Sequence, residues 1–92
     1  MRGTKDRVVD GYKVREVFGR IFVFHDELKF WYNPAGGRAV QVHQGSTADG
    51  EHWDPHTWYV VVPDTREFVQ LKGEDAEDRA FSVAVGYITQ TK

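Results

Sequence analysis

The chain contains no cysteine among its 92 residues. Disulfide bonds, thiolate metal sites and a cysteine nucleophile are therefore excluded. Because small secreted domains commonly depend on disulfides, the absence of cysteine favours a reducing compartment. The sequence has no apolar run near the roughly 20 residues of a membrane-spanning helix, and its first residues show no apolar signal region. We therefore expect a cytoplasmic protein with no membrane partner.

The chain also lacks a strong charge of one sign and any low-complexity tract. Its net charge is −2 and its pI is about 6.0, whereas a nucleic-acid-binding domain usually carries a strongly basic footprint. Hydrophobic residues make up 40% of the sequence and aromatic residues 14%, which is enough for a packed core. Length and composition predict a single domain over residues 1–92, with a flexible N-terminal tail over residues 1–7.

No motif identifies a family, a reaction or a cofactor. The turn at residues 33–37 holds two glycines, but it lacks a phosphate-loop or dinucleotide-binding pattern. No nucleophile-elbow pattern is present, and the serine and threonines near the histidines are adjacent to them only in sequence. A domain this small is also unsuited to an enclosed substrate pocket. We expect no enzymatic activity, no cofactor and no bound metal.

Most of the chain predicts antiparallel strands. Polar and apolar residues alternate in residues 12–17, 28–32 and 38–43, as they do in half-buried strands. Residues 21–25 are apolar on both faces, which is typical of a strand covered on both sides. Residues 57–62 are the most strand-like segment, and residues 67–71 return as their partner after a turn.

The C-terminal segment has two periodicities. A helical face is formed by six residues: Ala76, Ala80, Val83, Ala84, Tyr87 and Ile88. Asp75 is suited to the N-cap, with acidic residues in the first turn. Alternation from Phe81 to Thr89 instead suits a strand, and Gly86 weakens a helix by roughly 1 kcal/mol. The helix is favoured and predicts an α+β fold: a twisted antiparallel sheet of about six strands with one C-terminal helix packed on it. A strand in its place would predict a small all-β barrel.

The longest segment without periodicity is residues 44–56, which we expect to be a loop. Long loops inside compact domains are uncommon and are often functional. Trp53 lies in this polar segment, where it serves either as a lid on the core or as an anchor for a partner. The predicted partner-binding residues are Trp53, His52, His56, Glu51, Asp54 and Trp31. Metal binding by the histidines is disfavoured because Pro55 interrupts the helical geometry that their spacing requires.

Acidic residues form a second candidate surface, which would resemble a nucleic-acid backbone to a basic partner. It comprises Asp64, Glu67, Glu74, Asp75, Glu77 and Asp78. The residues from 74 to 78 are also explained by helix capping.

We expect a small non-enzymatic protein-binding or inhibitory module, of the type that phages and mobile elements use to block a host machine. The alternative is a nucleic-acid-binding domain with an aromatic and basic sheet face, and a metal-assisted enzyme is a third. If strands 21–25 or 57–62 left an edge uncovered, a homodimer would follow. The residues of the nucleic-acid alternative are Lys13, Arg15, Arg20, Lys29 and Trp31.

Overall fold

The structure is a computed structural model that describes residues 4–34, 38–46 and 53–89, with only the backbone of Ser46 and Trp53. It contains seven strands and one helix. Their bounds are β1 Thr4–Val9, β2 Tyr12–Val17, β3 Arg20–His25, β4 Phe30–Tyr32, β5 Gln41–Ser46, β6 Trp53–Val62, β7 Glu67–Lys72 and α1 Ala76–Thr89.

The seven strands form one sheet in which each strand pairs antiparallel with the next along the chain, in the order β1 to β7. Helix α1 follows β7 and packs back on the sheet, mainly on β5, β6 and β7. The predicted α+β fold with one C-terminal helix is therefore confirmed. No helix in the described ranges is long and apolar enough to cross a membrane.

The strand that the sequence did not predict is β1. Instead of the tail expected over residues 1–7, the structure has a strand from Thr4, and residues 1–3 lie outside the described ranges. Asp10 and Gly11 both have positive φ, at 51° and 84°. This two-residue turn suits the right-handed twist of a hairpin and joins β1 to β2. The sequence of β1 is mostly polar and shows no hydrophobic alternation, because the side chains of this strand are largely exposed.

The predicted loop of residues 44–56 is much shorter in the structure. Strand β5 continues to Ser46 and β6 begins at Trp53, so only residues 47–52 separate them, and these lie outside the described ranges. The pairing register shifts between Gln44 and Gly45, and Gly45 has a φ of 97°. A bulge of this kind accommodates Pro55 inside a strand, since a bulged residue does not donate to the ladder.

Helix α1 resolves the ambiguity of the C-terminal segment. Arg79 donates its backbone N–H to the carbonyl of Asp75 at 3.0 Å, which places Asp75 at the N-cap position. Ala76, Ala80 and Ala84 are fully buried against the sheet. A helix is favoured over a strand in this segment because its small residues let the helix backbone approach the sheet closely. Phe81 then fills the space between the helix and the sheet.

Two further sequence expectations need correction. The strand predicted over residues 28–32 is only Phe30–Tyr32, and Lys29 lies in the preceding turn with a φ of 59°. Lys29 therefore shares no strand face with Trp31. The strands at 21–25 and 57–62 are both interior to the sheet, and β1 and β7 form its edges. Neither strand therefore has an uncovered edge, so the condition under which the sequence predicted a homodimer is not met.

Candidate functional site

The two faces of the sheet differ in what covers them. Directly paired residues of antiparallel strands point to the same face, so the register assigns each side chain to one side. The helix side holds the core: Phe22 on β3, Val42 on β5 and Val60 on β6 are all fully buried. The opposite side is covered by no described element, and we call it the open face. The register places there the apolar, aromatic and uncharged polar strand residues Val9, Tyr12, Val14, Ile21, Val23, Phe30, Tyr32, Gln41, Thr57, Tyr59, Val61, Phe68 and Gln70, the histidines His25 and His43, and the charged residues Lys5, Arg7, Glu16 and Lys72. Within this face Val14, Phe30, Thr57 and Tyr59 are buried, whereas Val9, Tyr12 and Phe68 are exposed.

A row of stacked rings crosses the middle of the open face. Phe30 stacks on His25 with centroids 5.5 Å apart and planes 7° from parallel. On its other side, Phe30 stacks on His43 at 4.9 Å and 13°. The spacing follows from the register, because His25, Phe30 and His43 are direct cross-strand partners on strands about 4.8 Å apart. Both faces of the Phe30 ring are occupied by imidazoles, so this row turns ring edges toward solvent.

A second, mainly apolar row runs beside the first across six strands. It joins Val14, Val23, Tyr32, Gln41, Val61 and Phe68 through successive cross-strand pairs. At the edge of the sheet the Phe68 ring remains 57% exposed, and it lies 6.2 Å from the ring of Tyr59. Antiparallel sheets that face water usually alternate apolar-in with polar-out, but here both faces are apolar.

Two shallow depressions lie in the open face. One of about 270 Å³ lies between His25, Tyr32 and Pro63. The other, of about 340 Å³, lies between Val23 and the exposed Tyr12. Both volumes are at the lower limit of the roughly 300–1,000 Å³ typical of small-molecule sites, and few polar groups converge on them. Depressions of this size suit single side chains of a partner.

The electrostatics of the open face are weak at its centre. Burial lowers the pKa of His43, so this imidazole stays neutral at pH 7. His43 also lies within hydrogen-bonding distance of the Gln41 side chain, at 3.1 Å. No permanently charged side chain faces outward from β3, β4 or β5. The charged residues of this face lie on the edge strands and on β2. Arg7 of β1 pairs with Glu16 of β2 at 3.3 Å.

The residues of the nucleic-acid alternative lie mostly on the helix side, and Arg15 is already occupied. Its guanidinium makes hydrogen bonds of 2.9 and 3.1 Å to Asp6 and one of 2.7 Å to Glu77. Its central carbon lies 4.7 Å from the ring centroids of both Trp31 and Phe81. Burial would lower the pKa of Arg15, but the two carboxylates outweigh burial and raise it. Arg15 thus joins β1, β2, β4 and α1 and is not available to a phosphate.

Lys13, Arg15 and Trp31 line one depression of about 400 Å³, and the other two members of that set lie elsewhere. Lys13 lies over the ring of Phe24 at 5.3 Å. Arg20 is exposed at the start of β3, and Lys29 lies in the turn before β4. The Trp31 ring is half-buried and packs edge-on against Phe81, with centroids 5.9 Å apart. Trp31 therefore belongs to the packing under the helix and not to an exposed stacking surface.

The predicted partner-binding residues of the β5–β6 connection are only partly described. Glu51 and His52 lie outside the described residues, as does the Trp53 side chain. Asp54 accepts hydrogen bonds of 2.9 Å from the His56 backbone N–H and from the Thr57 hydroxyl. These bonds lower the pKa of Asp54 and hold the bulge in shape. His56 is exposed beside them.

The acidic residues do not form one surface. Strand β7 separates Asp64 and Glu67 from the acidic residues at the start of the helix, and six strand residues span roughly 20 Å. In the second group Glu77 pairs with Arg15 and Asp75 with Arg79 at 3.3 Å. Glu74 and Asp78 are exposed.

No three histidine, aspartate or glutamate side chains come together as a metal site within the described ranges. Sequence reasoning did not combine the rings of the open face, although two signals pointed to them. Residues 21–25 are apolar on both faces of the strand, and Phe30 and Tyr32 alternate with Trp31. One C-terminal helix covers only one side of such strands.

No family model, curated protein or solved structure matches this chain.

Proposed function

We propose that this protein is a small, non-enzymatic protein-binding module of the cytoplasm, and that the open face is its docking surface. The single observation that supports this proposal is the one-sided cover of a sheet that is apolar on both sides. On the side without the helix Val9, Tyr12 and Phe68 are 43–57% exposed, and exposed apolar surface on a small domain commonly marks an interaction site.

The arrangement of side chains on the open face resembles that of a protein interface. Rings lie at its centre, on β3, β4 and β5, and charges lie at its margins. Stable interfaces have an apolar and aromatic centre with a polar rim. The partner is therefore a protein that presents an apolar surface, with single side chains that enter the two depressions.

The ring geometry favours a protein over a single-stranded nucleic acid. Proteins that bind single strands offer ring faces on which bases stack. Here both faces of Phe30 are already occupied by His25 and His43. Lys13 and Arg15 line one depression with Trp31, but Arg15 is held by Asp6 and Glu77, and Arg20 and Lys29 lie elsewhere.

Inhibition of a host machine, as by phage and mobile-element proteins, would be one use of such a module. Strand β5 ends and β6 begins at the same end of the sheet as Val9 and Tyr12. Asp54 and His56 of β6 therefore extend the proposed surface at that end.

A matched pair of variants tests the proposal. Phe68 on the open face is 57% exposed, and Phe18 in the β2–β3 turn is 54% exposed and lies off that face. Tagged wild type, Phe68→Ser and Phe18→Ser proteins would be used to capture partners, and each captured protein would then be purified and titrated. We expect Phe68→Ser to weaken binding at least tenfold and Phe18→Ser to leave it unchanged.

Equal binding by the two variants would contradict the proposal. A parallel titration with a single-stranded oligonucleotide tests the nucleic-acid alternative. Affinity that falls steeply with salt would support that alternative, and no binding at low salt would remove it.

A further inference from the structure

The open face leaves the strands of this small domain unevenly covered. Strand β3 carries Phe22 under the helix and Val23 on the open side, and β6 carries Val60 and Val61 in the same way. A chain of 92 residues has only a small core. Val14, Phe30 and Tyr59 of the open side are already buried, whereas Val9, Tyr12 and Phe68 remain 43–57% exposed, so these apolar side chains lack the stabilising contacts that burial would give.

We propose that the occupant of the open face is a second copy of this chain, so that two sheets pack face to face as a sandwich around a two-fold axis. This inference rests on the proposed function, because it identifies the partner of the same surface. Packed sheets lie about 10 Å apart with interdigitating side chains, and the two rows of the open face supply such side chains.

The size of the face fits a stable dimer. Seven strands at about 4.8 Å spacing and six residues in length give a face on the order of 600 Å² in projection. The molecule measures 33 × 32 × 27 Å, so this face occupies much of one side. Stable interfaces take about 800 Å² of accessible surface from each partner, and a corrugated surface exceeds its projection.

The charge distribution permits the face to meet itself. An isologous contact places the same patch on both sides, so a charged centre would oppose itself. The middle strands β3, β4 and β5 direct no aspartate, glutamate, lysine or arginine to this face, and burial lowers the pKa of His43. Strand β4 is the fourth of seven, so an axis along it would bring Phe30 and Tyr32 of both copies to the centre.

Association through the β1 edge of the sheet is disfavoured by comparison. If β1 paired antiparallel with its own copy about a two-fold axis, the longer registers would centre on Lys5, Asp6 or Arg7. Each register places two like charges directly opposite, which is destabilising. Charged edges of this kind protect sheets against edge-to-edge pairing.

The test is sedimentation equilibrium of the full chain from about 1 to 500 µM, with three variants. We expect wild type to form a dimer. Phe68→Ser and Tyr12→Ser should each raise the dimer dissociation constant roughly 30-fold, because two copies of the ring leave each interface. The matched control Phe18→Ser should keep the wild-type constant. Circular dichroism of each variant confirms that it is folded.

A wild-type monomer at the highest concentration would overturn the second copy as occupant. An apolar fluorescent dye then separates the two claims. Dye bound by the monomer and lost in Phe68→Ser would leave the open face as a docking surface for another protein, whereas no dye binding would contradict the proposed function as well. A dimer that survives both Phe68→Ser and Tyr12→Ser uses another surface and would also overturn the inference.

Discussion

The two faces of one sheet differ in this protein. On the helix side, Phe22, Val42, Val60 and Phe81 have at most 1% of their surface exposed. On the open side, the same strands carry side chains of similar apolar character, yet Phe68 at its edge is 57% exposed. The two faces differ because helix α1 covers only one of them, and the strands contribute apolar side chains to both. Strand alternation supplies two apolar faces, and a single helix covers one.

The aromatic rings also pack differently on the two sides. Under the helix, Phe81 meets Phe22 at 85° and Trp31 at 78°. On the open side, Phe30 lies nearly parallel to His25 and His43. Phe24 and Trp31 are also direct cross-strand partners, but their planes are 59° apart. Cross-strand register therefore permits stacking without imposing it.

The largest expected effect tests this contrast directly. Phe81→Ala should lower the free energy of unfolding by about 3–5 kcal/mol, because it removes a ring that contacts Phe22, Trp31 and Trp58 in a closed core. Phe68→Ala should change it by less than about 1 kcal/mol at low micromolar concentration. Urea denaturation of both variants at the same concentration measures the difference. Equal losses would show that the open face is as closed as the helix side.

A middle-sized effect concerns the contact that joins β1 to the helix side. Arg15→Lys should cost about 1–2 kcal/mol, because lysine keeps the charge but loses the paired hydrogen bonds to Asp6 and the stacking between two rings. Lys13→Gln is the control, since Lys13 is exposed over a single ring and should change stability by less than about 0.5 kcal/mol. Urea denaturation again provides the measurement, and a neutral Arg15→Lys would show that charge alone matters.

The smallest effect concerns the protonation of the open face. Because burial lowers the pKa of His43 in the folded state, the unfolded chain takes up the proton first as pH falls. The stability due to neutral His43 is thus present above the ordinary histidine pKa of about 6.5 and is lost as pH falls below it. Between pH 7.5 and 5.5, the free energy of unfolding should fall further for wild type than for His43→Gln. The difference should be less than about 1 kcal/mol, since His43 is only partly buried.

The unfolding free energies of wild type and His43→Gln, taken at both pH values, measure this effect. If His43→Gln shows the same pH dependence as wild type, His43 does not carry it.

Much of the fold was predictable from local pattern. The alternation in residues 12–17 and the apolar run at 21–25 became β2 and β3, and the alanines and N-cap from Asp75 onward became α1. Strand β1 was missed because its register depends on β2 and on the Asp10–Gly11 turn, and not on hydrophobic alternation. The loop at 44–56 was overestimated because the bulge at Gly45 allows two polar segments to pair.

The candidate site was less predictable. Trp31 seemed the aromatic residue available for binding, yet it packs with Arg15 and Phe81. Alternation predicts that Trp31 and Tyr32 lie on opposite sides of the sheet, but it does not predict which side the helix will cover. The acidic residues were grouped by type, and β7 separates them in space.

The sequence by itself determined the strands from β2 to β7 in outline, their antiparallel order and the presence of two apolar strand faces, because periodicity and turn chemistry act over a few residues. Only the tertiary structure decided which face α1 covers, and therefore which rings are core and which are exposed. That choice depends on helix-to-sheet packing, where Phe81 and the small residues of α1 fit between Phe22, Trp31 and Trp58. Such fit involves residues distant in sequence, and no local pattern contains it.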